Sequence, residues 1–184
     1  MACTRTLSGI AMECSPSKGG ILEAYVANWT EGIFQYSTNT GASASDVAIP
    51  DTVTGVTGST TWNKLSFRKN ISNYTSTINV DDANGVNYVS TEINFVFNKM
   101  QTSSRIAISA MGLTGMALVV KDANQKYWAF GVDEPVMLTA GSGESGTAAT
   151  DANHYSITLT DTAMFLPMEV TKTVGDTIAE GANA

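Results

Sequence analysis

Carboxylates stand in pairs at two places in this chain, Asp81 beside Asp82 and Asp133 beside Glu134, and Glu92 stands alone in a run of alternating apolar and polar residues. Paired carboxylates do acid and base work when they converge on one pocket. Nothing in the sequence forces that here. Asp81 and Asp82 open the turn DDANG, where acidic side chains satisfy backbone N–H groups, and Asp133 and Glu134 precede Pro135 in a loop pattern. His154, the single histidine, follows Asn153 at the entry to a strand pattern, which reads as a turn or surface position. The stretch GSGESG at 141–146 lacks the lysine and following helix of a phosphate cradle. Cys3 and Cys14 are the only cysteines, too few with one histidine for a zinc centre. A bridge between them is sterically conceivable, but no secretory pattern precedes them, so reduced thiols are expected. No catalytic, metal or cofactor residue is expected. Trp29, Trp62 and Trp128 would form a sugar-stacking platform if exposed, although Trp128 alternates with Phe130 and Val132 and is expected in the core.

The composition narrows the class. Charged residues make up 15% and the net charge is −7, against roughly 25% charged in ordinary domains. Gripping nucleic acid needs clustered Lys and Arg, so a nucleic-acid-binding protein is excluded. The acidity is uneven: residues 1–120 carry 8 acids and 7 bases, whereas residues 121–184 carry 9 acids and 3 bases. No window reaches the ~20 apolar residues of a membrane helix, and synthesis in a cytoplasm is expected. The sequons at Asn28, Asn70 and Asn73 are what a chain rich in Asn, Ser and Thr produces by chance.

Thr, Val, Ile, Tyr and Phe recur where helix formers are scarce, which predicts a mainly β fold: a β-sandwich or small barrel with a long hairpin and one flanking helix. Residues 19–28 read as a strand buried on both faces. Residues 41–61, small and Gly-rich with Pro50, read as a long loop that could be shortened without unfolding the chain. Residues 62–69 read as a strand. Residues 75–80 and 88–98 form a hairpin across Asn84 and Gly85, with Val89, Thr91, Ile93, Phe95 and Phe97 on one face and Glu92 on the polar other. Residues 101–111 form an amphipathic helix, started by Thr102 or Ser103, pairing Ile106 with Ala110 and Ala107 with Met111, and ended by Gly112. A second hairpin follows over 116–121 and 126–132, then a flexible loop over 139–150. A late strand carries Tyr155, Ile157 and Leu159, and an edge strand over 164–171 contains Pro167. One domain is expected over 1–174, with a disordered tail over 175–184.

This order of elements resembles the tail tube proteins of long-tailed bacterial viruses, most of all over residues 105–170, where a helix leads into MALVVKDANQKYWAFGV, a Gly-rich loop and DANHYSITLTDTAMFLPMEV; CSPSKGGILEAYVAN adds to the likeness. The resemblance implies a non-enzymatic virion protein, assembled in the bacterial cytoplasm into rings, commonly of six, that stack as a hollow tube. DNA would pass through without specific binding, and the partners would be further copies and other tail and neck proteins. It implies a lumen face of Thr75, Thr77, Asn79, Ser90, Glu92 and Asn94. It implies an inter-ring loop containing Ala44, Asp46, Ile49, Asp51 and Val53. Alternatives are a neck, tail-completion or capsid-decorating protein of such viruses, or a secreted carbohydrate-binding β-sandwich.

Overall fold

The computed structural model describes residues 10, 16–39, 48–57, 60–67, 71–148 and 150–182. Cys3, Cys14, Ala44 and Asp46 lie outside them. The elements are β1 (Ile21–Asn28), β2 (Phe34–Asn39), β3 (Ile49–Val56), β4 (Asn63–Leu65), β5 (Asn73–Asp81), β6 (Val86–Asn98), α1 (Thr102–Met111), β7 (Met116–Asp122), β8 (Tyr127–Phe130), β9 (Met137–Glu144), β10 (His154–Ala163), β11 (Met168–Val170) and α2 (Lys172–Gly181). They make two sheets, in the orders β2-β3-β11-β8-β7-β1-β4 and β5-β6-β10-β9. The fold is mainly β and sandwich-like, as its composition predicts.

Strand β7 sits inside the larger sheet, and Met116, Ala117, Leu118, Val119 and Val120 are all buried. Successive side chains of a strand point to opposite faces, so a continuous apolar run needs cover on both. On one side, Leu118, Val120, Ala24, Val26 and Phe130 meet Ile93, Phe95, Phe97, Ile157 and Leu159 of the four-stranded sheet. On the other, Val119, Ala117, Tyr25, Tyr127 and Ala129 pack with Ile33, Phe34, Val53, Trp62, Met168 and Ile178. Three layers result: the smaller sheet, the larger sheet, and a cover that includes α2.

Helix α2 replaces the disordered tail expected from residue 175 on. Ile178 is 2% exposed, and the amphipathic spacing of Val174, Ile178 and Ala182 supplies an apolar stripe. The Tyr127 hydroxyl donates to Asp176 Oδ1 at 2.9 Å, and Lys172 Nζ donates to Asp176 Oδ2 at 2.7 Å. Burial, then the Asp176 carboxylate, pushes the Tyr127 hydroxyl up to about 12, so it stays a donor. Gly175 lies against the Tyr127 ring, where a Cβ would stand 2.3 Å from a ring carbon. A polar, Gly-interrupted sequence hid a helix whose stability is tertiary.

Other expectations are also corrected. The long loop over 41–61 contains β3, antiparallel to β2 and parallel to β11. Val53 is fully buried and its carbonyl accepts from Thr171 N–H. Half of the flexible loop over 139–150 is β9, paired with β10. Strand β11 lies between β3 and β8 rather than at an edge, and Pro167 falls just before it. Of the strand expected over 62–69, the described residues show only β4. Helix α1 has Gln101 as N-cap with no side-chain cap bond, and it buries Met111 while Ile106 is exposed.

Two substitutions test the cover. Gly175→Ala forces the helix off Tyr127, and Ile178→Ala removes a buried side chain, a change that costs about 2–5 kcal/mol. Both are expected to lower the urea midpoint with a cooperative transition retained. Deleting residues 44–57 removes β3 and Val53, and the far-ultraviolet spectrum is expected to show an unfolded chain.

Candidate functional site

Among the described residues no group of acidic, His or Cys side chains is placed to hold a metal ion, and no helix is long and apolar enough to cross a membrane. The candidate surface is the four-stranded sheet, because one face is core and the other presents an ordered polar array. Strand β6 alternates strictly, with Val89, Thr91, Ile93, Phe95 and Phe97 buried. The intervening residues face away, and the register aligns them with like residues of the neighbours. Thr75, Glu92 and Thr160 form one row, Thr77, Ser90 and Thr162 the next, and Asn73, Asn94 and Thr158 a third.

The structure therefore brings Thr75, Thr77, Asn79, Ser90, Glu92 and Asn94 onto one face, Asn79 opposite Tyr88. The rows are cross-linked. Thr158 Oγ1 donates to Asn94 Oδ1 at 2.7 Å, and Asn94 Nδ2 donates to Glu92 Oε1 at 2.9 Å. Thr139 and Thr160 hydroxyls lie 2.9 Å apart. The contributions of Thr158, Thr160, Thr162 and Thr139 were missed, although the period-two pattern of residues 155–160 carries the signal. Glu144 and His154 pair at one end of the sheet. Ile49, Asp51 and Val53, expected in a reaching loop, belong to β3 of the other sheet.

The remaining chemical candidates are accounted for locally. Asp81 takes the Ala83 and Asn84 N–H groups, and the Asn84 side chain and backbone hold its carboxyl below the ordinary range. Gly85 alone in that turn has positive φ, 65°. Gly141 and Gly143 are strand residues. A Cβ on Gly143 would meet the Tyr155 ring at 2.9 Å, so glycine here admits a neighbour rather than a phosphate. Trp62 is buried, and Trp29 and Trp128 direct their indole N–H groups at Gly131 O and Asp122 Oδ2. No exposed tryptophan platform exists for a sugar.

Among the described residues, neither edge of this sheet is paired. β5 and β9 are its terminal strands, and their sequences NYTSTINVD and MLTAGSGE contain no proline or lysine. Such residues are the usual means of blunting an edge. The edges are also offset. Asn73 is level with Asn94, whereas Glu144 is level, through His154, with Asn98, four residues further along β6. At the other end Asp81 is level with Val86, and Met137, through Thr160, with Glu92, six residues further along.

On the core side, Asp161 is 4% exposed and accepts from Gly131 N–H at 3.2 Å. Burial pushes its carboxyl up to about 6, opposed by the Gly131 bond and helped by the charges of Asp133 and Glu134. No protein-family model, curated protein or solved structure matches the chain.

Asp161 makes stability pH-dependent. Its folded pKa lies above the unfolded value, so its contribution is intact below about pH 4 and is lost as pH rises to about 6. The loss is on the order of 3 kcal/mol for a shift of this size. Asp161→Asn keeps an acceptor for Gly131. The variant is expected to melt higher than the parent at pH 8 and to show a flatter stability profile from pH 4 to 6 in calorimetry.

Proposed function

We propose that this chain is a virion structural protein whose copies join through the edges of the four-stranded sheet into rings, which stack as the tube of a long-tailed bacterial virus. The offset of those edges carries the reading. Strands of a closed barrel tilt by about 35–45°, so the register must step along the strands as the sheet goes round. Four strands at ~4.8 Å spacing and ~3.3 Å rise then require a step of about 4–6 residues per copy. The two edges differ by four residues at one end and six at the other.

Strand direction supports the same assembly. Every pair in the sheet is antiparallel, and four strands is an even number. A copy related by rotation therefore sets its β5 antiparallel to the β9 beside it, and the alternation runs on without a break. Pairing also satisfies the open backbone groups of both edges.

The polar face then lines the lumen. Its hydroxyls and amides bond to one another, and among the six residues foreseen there only Glu92 is charged. A wall with few cations holds passing phosphates weakly. The DNA meets a surface it does not adhere to.

Negative stain of the purified chain at millimolar concentration is expected to show rings or tubes; a protein that sediments as a monomer under those conditions overturns the reading. Glu92→Lys is an exposed substitution, expected to change stability by less than about 0.5 kcal/mol and to leave assembly intact. Rings of lysine should bind DNA by counterion release, most strongly at low salt. Filter retention of DNA on variant tubes checks this.

A further inference from the structure

We propose that α1 is the seat for the next copy around the ring: Ile106 and Leu113 of one copy pack against Ile78 and Val80 of its neighbour. The contact rests on the edge pairing proposed above.

Helix α1 fills the gap between the two sheets on one flank. Ile108 and Met111 join the core. Ser103, Ala107 and Ala110 face β4 and β1, while Arg105, Ser109 and Gly112 face β9 and β10. What remains, directed away from the body, is Ile106 at 57% exposure and Leu113 at 88%. Leu113 lies two residues past the end of α1 with its N–H bonded to Ala110 O, so the exposed pair spans the helix and its C-terminal turn. A helix with apolar side chains on its outer side lacks a partner.

The opposite flank carries the complementary surface. Along β5, Tyr74 packs edge-on against Phe130, and Ser76 bonds Thr91 at 2.8 Å. Ile78 and Val80 share that face but extend past the cover, 55% and 62% exposed. Helix α1 packs on the same side of the sheet, over Leu138, Gly141 and Gly143 of β9. Those residues are level with Leu159, Ile157 and Tyr155. A pleat continued from β9 into the next copy's β5 places Ile78 and Val80 on the side where α1 stands.

The step between copies brings them level. Val80 is level with Asn87 in its own copy, and Leu138, through Leu159, is level with Ile93, six residues along β6 and on the same face. That difference lies inside the barrel step of about 4–6 residues. The overhanging end of β5 therefore lands beside β9 and α1. The four aliphatic side chains offer on the order of 400 Å² of apolar surface. Two strand edges of eight or nine residues add a comparable amount, giving a small seam of roughly 800 Å² that each copy in a ring makes twice.

The seam is heterologous, with different surfaces on its two sides, and mixing variants tests it. Ile106→Lys with Leu113→Lys spoils the seat, and Ile78→Lys with Val80→Lys spoils the insert. Each is expected to raise the concentration for half-assembly at least tenfold in sedimentation velocity, with the melting temperature unchanged. An equimolar mixture retains one intact seam per pair and should stop at dimers. A seat variant that assembles like the parent overturns this contact and leaves edge pairing standing; a parent chain that never assembles overturns both. Should the insert variant fold poorly, Val80→Cys with Leu113→Cys, in a Cys3→Ser, Cys14→Ser background, should give a ladder of covalent oligomers on oxidation. Monomers alone, from a chain that assembles, overturn the contact.

Discussion

Strand β7 is apolar on both faces, and the rest of the molecule answers that fact. A strand with Leu118 and Val120 on one side and Ala117 and Val119 on the other cannot meet water on either. Its backbone groups are satisfied by β1 and β8, so what remains is to cover two apolar surfaces. One cover is the four-stranded sheet. The other is assembled from segments distant in sequence, from Phe34 to Ile178. Burial of this kind is worth about 25 cal/mol per Å², which is why even a short polar helix such as α2 is held.

The division of labour between the sheets follows. The larger sheet is covered on both faces at its centre, around β7, and serves as scaffold. The smaller has one face committed to the core and, among the described residues, leaves its polar face and both edges uncovered. Its hydrogen-bonded rows of Thr, Asn and Glu fix side-chain positions across three strands, so the array is a surface rather than a set of independent side chains. Cross-strand pairs of this type contribute about 0.2–1 kcal/mol each.

What could be read in the sequence was whatever local pattern decides. The alternation in β6 and β10 and the turns at Asp81 to Gly85 and Asp122 to Gln125 declare themselves within a few residues; Ser90, Glu92 and Asn94 follow from period two, whereas Thr75, Thr77 and Asn79 came with the resemblance. The elements that escaped are those whose reason lies elsewhere in the chain. β3 is a strand because β2 and β11 flank it, although Pro50 and Gly55 argue locally for a loop. β9 contains Gly141 and Gly143 because Tyr155 needs the space. α2 is a helix because Tyr127 and the apolar floor receive it. Helix α1 is the reverse case: periodicity pairs Ile106 with Ala110 and Ala107 with Met111, but only the packing of Ile108 and Met111 shows which stripe is buried.

The even strand count of the small sheet limits how a wall made from it can change. In the ring proposed above, each copy would hand its neighbour a strand of the opposite direction. Gain or loss of a single strand would set two edges parallel at every seam, with a slanted bonding pattern unlike that elsewhere in the sheet. Width can therefore change only by whole hairpins, two strands at a time, and the circumference of such a wall is quantised twice, once by the number of copies and once by the pairs of strands within each.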